Sequence, residues 1–183
     1  MKETIKLGTG LSPVPVVMVS CGGQTESNIT TIAWTGVLNS EPPLVYISVR
    51  PTRYSYHIIK ETEEFVLNIP DEKLIWEADF CGTKSGKEMD KFEEASLSKE
   101  QSKIVKCPSI QECPISIECK LKEVKHLGTH DMLIGEVVCI NCKKEYLNEK
   151  GDIDYTKTNL LTYAGTDYFV NNKKVGERGI CLK

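Results

Sequence analysis

The chain has 183 residues, 40% hydrophobic and 27% charged, with a formal net charge of −3. That balance excludes a disordered chain, and the slight acidity, with no Lys/Arg stripe interleaved with aromatics, excludes a nucleic-acid binder. Apolar runs stay shorter than the roughly 18 residues that a spanning helix needs, and Met1 to Gly8 lacks the apolar core of a signal peptide. A cytoplasmic protein is therefore expected, with no membrane partner and with its eight cysteines mostly reduced. The length suits one domain over residues 1–183, with a core from about 10 to 165 and a C-terminal arm over about 166–183.

In chain order, Val14 to Ser20 predicts a buried strand, turned by Gly22-Gly23. Residues 29–35 and 44–49 predict two more strands, with Pro42-Pro43 marking the break because proline cannot donate to a ladder. From Thr52 to Thr62 the pattern turns helical, and Thr52 or Ser55 can cap it. Phe65 to Ile69 predicts a short strand ended by Pro70. Asp71 can cap a helix that carries Leu74, Ile75 and Ala78. Ser85 with Glu88 has the spacing of a capping box for a short helix, and Ser98 with Gln101 that of another. Strands are expected over about 115–124 and 131–140, around a turn at Gly128. Residues 148–158 read as a loop, Asn159 to Tyr163 as a last strand, and the final twenty as an irregular arm. Five or more strands with short interspersed helices predict a mainly β fold with peripheral helices, as a barrel or strongly curved sheet. Neither G-x-G-x-x-G nor a P-loop occurs.

Chemistry-bearing residues gather in a few places. Asn28 to Thr35 offers an amide and hydroxyls on a β-branched strand, with Ile29, Thr31 and Ala33 on one face and Thr30, Ile32 and Trp34 on the other. The plain reading is a strand with threonines on its polar face. Arg50 and Arg53 bracket a proline beside Tyr54 and Ser55, at a helix start that suits a phosphate. Ser85-Gly86 to Lys91 has the same logic, with Lys87 and Lys91 four residues apart on one helix face. A simple cap and a solvated helix would read the same way. His126 and His130 flank a turn rather than sharing a helix face, and no H-E-x-x-H accompanies them, so no metal site is expected. His130-Asp131 reads as a pair at a site edge. Cys139-Ile-Asn-Cys142 has the spacing of a redox pair or half a zinc site, and Cys107, Cys113 and Cys119 recur at regular intervals. Small buried hydrophobes and incidental thiols are the competing reading.

Four segments resemble the flavin reductase-like family in its own order: Asn28-x-x-Thr-x-Ala-Trp34, Pro42-Pro-Leu-Val-x-Ile-Ser-Val-Arg50, Phe80-Cys-Gly-x-Lys-Ser-Gly-x-x-x-Asp-Lys-Phe92 and Gly128-x-His-Asp-x-x-x-Gly-Glu-Val137. The similarity runs over about residues 10–140. It implies an FMN-binding split β-barrel, a homodimer with each flavin near the subunit interface, and NADH or NADPH as electron donor. By this resemblance Asn28, Ile29, Thr30, Thr31, Ala33 and Trp34 would line the isoalloxazine. Ser48, Val49 and Arg50 would meet the flavin and its ribityl chain. Tyr54, Ser55, Ser85 and Lys91 would approach the phosphate, with Cys81 and Gly86 in the same binding segment. His130 holds a nicotinamide-contacting position, and no acid or base catalyst is assigned. The activity so implied is an oxidoreductase passing electrons from NAD(P)H through FMN to an acceptor. A flavoredoxin-like carrier served by a partner protein is the alternative, and a thiol or metal-binding protein using the cysteines is a further one. Tyr163-Ala-Gly-Thr-Asp-Tyr168 and the cysteine enrichment depart from the family pattern.

Overall fold

The structure, a computed structural model, describes residues 1–171 and 173–182. The β-branched runs form β1 (Val14–Pro15), β2 (Val17–Gly22), β3 (Ser27–Ile32), β4 (Thr35–Ser40), β5 (Pro43–Val49) and β6 (Glu64–Ile69). Two short strands, β7 (Lys99–Glu100) and β8 (Ser109–Ile110), precede the long hairpin β9 (Ile115–His126) and β10 (Asp131–Cys142). The strands β11 (Leu160–Ala164) and β12 (Asp167–Asn171) follow. The helices are α1 (Tyr54–Thr62), α2 (Ile75–Thr83) and α3 (Lys91–Glu94).

Seven strands pair antiparallel in the order β3-β2-β6-β9-β10-β5-β4. The outermost strands, β3 and β4, are consecutive in the chain and joined only through Ala33 and Trp34. The sheet must therefore curl until its two edges meet. Ser48 N–H of β5 donates to the Trp34 carbonyl at 2.8 Å, carrying the β4–β5 pairing on into the bend that follows β3. The expected mainly β barrel with helices outside it is what forms. Among the described residues, no helix is long and apolar enough to cross a membrane.

Strand alternation divides the core. Val17, Val19 and Cys21 of β2 face the barrel interior with Ile47, Phe65 and Leu133. Met18 points the other way, packing with Ile29, Ala78 and Phe92 beneath α2 and α3. Burying such side chains stabilises by about 1.5–3 kcal/mol each. The Phe65 ring crosses β10 at Gly135, where a Cβ would come within 2.5 Å of Cζ, so a glycine is needed for that approach.

Several local expectations are corrected. The strand expected over 29–35 ends at Ile32, and the chain bends at Trp34 into β4, which the sequence pattern did not reveal. Neither Thr52 nor Ser55 caps α1: the helix starts at Tyr54, which puts Ser55 inside the first turn and leaves Arg53, whose side chain has no acceptor to offer, as the N-cap residue with no side-chain bond to the helix. The Ser85–Glu88 box does not form. Asp90 caps α3 instead, accepting from Phe92 and Glu93 N–H, so Lys87 lies in the preceding loop and shares no helix with Lys91. Ser98–Gln101 starts no helix, because the Glu112 carboxylate takes the Ser98 N–H and Lys99–Glu100 pairs as a strand with β8. The predicted arm is ordered at its start, where β12 pairs with β11. Residues 172 and 183 of that arm lie outside the described residues. Asp71 does cap as expected, accepting from Lys73 N–H at 3.1 Å.

Candidate functional site

Where the curled edges meet, β3 and its bend, the end of β5, the first turn of α1 and the head of β10 enclose a cavity of about 190 Å³. Thr30, Thr31, Ile32, Ala33 and Trp34 form one wall, and Ser48, Val49 and Arg50 the other. Arg53 and His130 stand at its rim. A second cavity of about 540 Å³ adjoins it. Asn28, the α1 start at Thr52, Tyr54 and Ser55, the loop Lys84-Ser-Gly-Lys87, and Lys91 line this one. Thr30, Arg50 and Arg53 border both cavities, so the two are compartments of one cleft.

The two compartments differ chemically. The first offers extended backbone, β-branched side chains and an indole. The second offers hydroxyls, an amide and cationic arms, and among the described residues no carboxylate lines either one. In a chain of net charge −3, that is a local concentration of positive potential. Among the described residues Arg50, Arg53, Lys84 and Lys87 make no ion pair, so their charge is directed at the cleft and its solvent.

Individual side chains are fixed from behind. Thr31 Oγ1 donates to the Ala78 carbonyl at 2.5 Å, fastening β3 to α2. Asn28 Nδ2 donates to Ser55 Oγ at 2.7 Å, joining β3 to the start of α1. Gly86 packs directly on that amide: a Cβ there would stand 2.0 Å from Asn28 Oδ1. Gly86→Ala is therefore expected to displace Asn28 from Ser55 and to weaken binding of a phosphorylated ligand by about tenfold, the scale of one lost hydrogen bond to a charged group. A fluorescence titration with FMN measures this, and an unchanged affinity would show that the Asn28–Ser55 contact is dispensable.

Lys91 is 3% exposed and spans the wall behind the second compartment. Its Nζ donates to the Ile29 carbonyl at 2.8 Å and the Cys81 carbonyl at 2.7 Å. Burial holds its pKa below the ordinary lysine value, opposed by the Cys81 thiol and reinforced by Arg53. Cys81 is itself pushed up to about 11 by burial, and Cys21 to about 12, so both remain thiols and neither serves as a nucleophile.

His130 packs its ring on Trp34, centroids 4.7 Å apart, and its Nδ1 lies 3.1 Å from Thr129 Oγ1. Burial first, then Arg50 and Arg53, hold its pKa below the usual histidine value. A depressed value means the neutral imidazole persists to lower pH. Steps that depend on His130 are thus expected to stay level from about pH 8 down to about 6.5, the unperturbed histidine value, and to change only in more acid solution. An NMR titration of the His130 ring checks this, and a midpoint at or above the ordinary value would overturn it.

The structure brings Asn28, Thr30, Thr31, Ala33, Trp34, Ser48, Val49, Arg50, Tyr54, Ser55, Ser85, Gly86, Lys91 and His130 to this cleft. It places Asn28 at the cationic end rather than beside Trp34. Ile29 and Cys81 are fully buried in the core layer behind and present only their carbonyls, to Lys91. The supposed pair His130-Asp131 is divided, because successive strand residues face opposite ways. Asp131 is buried, accepting from Tyr56 Oη at 2.6 Å and from His126 Nδ1 at 2.8 Å. The Tyr56 hydrogen bond is the main reason its carboxyl lies below the usual range. The sequence reading left out Ile32, Thr52 and Lys84 as site residues, and it singled out Arg53 and Lys87 beside the phosphate without including them in the cofactor-binding set. A cation preceding Ser85-Gly86 was a usable signal for Lys84. Cys107, Cys113 and Cys119 fall into three separate core clusters, so their even spacing builds no common site.

Residues 9–170 match the family model described as flavin reductase like domain. An uncharacterized protein of Archaeoglobus fulgidus is 31% identical over 153 residues, covering 84% of this chain and 86% of its own length. Among solved structures, the flavoredoxin of Desulfovibrio vulgaris (Miyazaki F) superposes with a TM-score of 0.93 at 27% identity, over 100% of both chains. The flavoredoxin from Methanosarcina acetivorans, 24% identical, also covers 100% of both chains, with a TM-score of 0.88.

Proposed function

Because the chain belongs to the flavin reductase-like family and has its split-barrel fold, we propose that it is an FMN-binding oxidoreductase passing electrons from NADH or NADPH to an acceptor. The observation that carries this reading is the polarity of the cleft. One end is shaped by extended backbone and an indole, and the other by hydroxyls and cations without a carboxylate. A flat heteroaromatic ring joined through a polyol to a phosphate has the same sequence of chemistries. The donor set therefore fits FMN, which when bound would accept a hydride from the nicotinamide nucleotide and release electrons to the acceptor.

In this reading, Thr30, Thr31, Ala33 and Trp34 hold the ring system, with Ser48 and Val49 opposite. Arg50, where the compartments join, supports negative charge on the ring when it is reduced. Arg53, Lys84, Lys87, the Ser55 and Ser85 hydroxyls and the first turn of α1 hold the phosphate. Asn28 and Lys91 position that end from behind. Neutral His130 offers one donor and one acceptor at the rim, where a nicotinamide carboxamide would lie. Hydride delivery to a flavin needs no protein acid or base, which agrees with the protonated thiols of Cys21 and Cys81.

Two subsidiary proposals follow. Trp34, at the bend before β4, and Val37 and Leu38 on β4, the outermost strand beyond β5, expose apolar surface beside the cleft. A second copy of the chain packed there, as a homodimer, would cover it. Eight free cysteines suit a reducing cytoplasm. A second reading, an FMN electron carrier reduced by a partner protein, is favoured by the full-length similarity to a flavoredoxin. The visible absorption spectrum of the purified protein, before and after anaerobic NADH or NADPH, tests both. Flavin bands that bleach support the reductase, and bands that persist support the carrier. A protein that shows no flavin bands after incubation with FMN would refute both.

A further inference from the structure

The His130 ring is held by contacts at the molecular surface, against Trp34 and beside the Thr129 hydroxyl. Leu127, Gly128 and Thr129 are all exposed, and Leu127 N–H closes the turn by donating to the His130 carbonyl at 3.2 Å. Both ladders of β10 begin one residue later. There Asp131 pairs with Val49 of β5 on one side and with His126 of β9 on the other. Exposed strand ends open more readily than the core they lead into. The first fixed point behind His130 is therefore Asp131.

Asp131 is fixed through its side chain. Its Oδ2 accepts from Tyr56 Oη at 2.6 Å, and both residues are buried. His126 Nδ1 donates to the same oxygen, and Lys60, whose ammonium lies 5.4 Å from the centre of the Tyr56 ring, is the other cation facing it. The Asp131 bond is the main cause that pushes the Tyr56 pKa up to about 12, so Tyr56 remains a donor. Tyr56 follows Ser55 directly on α1, the helix whose first turn faces the cationic compartment. One short bond thus ties that helix to the strand that carries His130. An apolar pair would bury similar surface, but the hydrophobic effect has no direction. A hydrogen bond to a carboxylate fixes both distance and angle.

We propose that Tyr56 and Asp131 are positioning residues: their hydrogen bond sets the His130 ring against Trp34, and with it the place of the nicotinamide at the rim. Neither residue lines the cleft. The nicotinamide half of the inference rests on the flavin reading, and the placement of the ring stands apart from it.

The test uses the full-length protein and Tyr56→Phe, which keeps the ring and removes the donor. Asp131→Asn, which keeps an acceptor oxygen but not the charge, is the second variant. The chain has three histidines, so proton NMR separates their ring resonances, with His130→Gln assigning the relevant one. In flavin-free Tyr56→Phe, the His130 resonance is expected to lose the ring-current displacement that Trp34 gives it. Asp131→Asn moves it in the same direction and less far. His57 packs edge-on to the retained ring at 5.4 Å, and its resonance stays in place. A His130 resonance that does not move would overturn the proposal. Movement of His57 together with His130 would show a general loosening of α1 and would overturn it too. With FMN loaded, Tyr56→Phe is expected to raise KM for NADH about tenfold, the scale of one lost contact, and to change kcat and FMN affinity by less than about twofold. A fall in kcat or in FMN affinity with KM unchanged would count against positioning at the rim. Protein that binds no FMN, or whose flavin NADH does not bleach, would refute the reductase reading, and the His130 resonance would still decide the role of the pair.

Discussion

Lys91→Ala is expected to lower FMN affinity by about 1–3 kcal/mol, the range for a lost charge-assisted contact. It is also expected to destabilise the fold by about 2–4 kcal/mol, since it leaves two carbonyls unpaired and a cavity where the buried stem was. Both effects follow from one geometry. Two of the three Nζ protons are held by the Ile29 and Cys81 carbonyls, which tie β3 to α2. Lys91 also lines the cationic compartment, leaving its remaining proton available to an anion there. Lys91→Met separates the two roles. It fills most of the volume and so recovers part of the stability, but it restores no donor to the cleft. Chemical denaturation and FMN titration of both variants make the test. Equal FMN affinity in wild type and both variants would reduce Lys91 to a structural clamp.

Removing the carboxylate of Glu118 is expected to have the largest effect on stability, with Glu118→Ala costing about 3–5 kcal/mol, as for a buried charge whose partners are left unmatched. Glu118 is fully buried on β9. It accepts from the backbone N–H groups of Lys103, Ile104 and Val105 at 2.7–3.1 Å and from Asn141 Nδ2 at 2.8 Å. Burial opposes the charge, but these four donors outweigh it and hold the carboxyl below its ordinary value. A depressed value means the contribution is complete above the unfolded pKa of about 4.3 and is lost as pH falls through the folded value. Acid unfolding should therefore begin at a higher pH in Glu118→Gln, whose amide turns an N–H toward backbone donors. Glu118 lines neither compartment of the cleft, so FMN affinity measured well below the unfolding temperature should be unchanged. A variant as stable as wild type would mean that loop 103–105 finds its partners elsewhere.

The difference between these residues shows what a sequence can carry. Val14 to Ser20, Leu44 to Val49 and Phe65 to Ile69 announced their strands because β-branched and aromatic side chains prefer a pleated backbone whatever lies around them. The order of segments from Asn28 to Val137 likewise announced the family, its barrel, and the residues Thr30, Trp34, Ser48, Arg50 and Ser55 that line the cleft. Local propensity misled where a distant partner took the same atoms. Ser55 reads as a cap, but α1 starts one residue before it, and its hydroxyl accepts instead from Asn28, 27 positions away. Ser98 could have opened a helix, but the Glu112 carboxylate holds its amide. Both partners are 14 or more positions away in the chain.

The sequence by itself determined the mainly β class, the absence of a Rossmann or P-loop device, and the phosphate-seeking character of residues 50–55 and 85–91, because these depend on side-chain chemistry and short-range spacing. Only the tertiary structure decided that Lys91 is buried, that Asp131 turns away from His130, and that Glu118 holds a loop fifteen residues distant. It alone decided too that Lys84 joins Arg53 and Lys87 in one cleft. Burial, pairing and the joining of cavities are relations between elements far apart in the chain, and they exist only once the edges of the sheet have met.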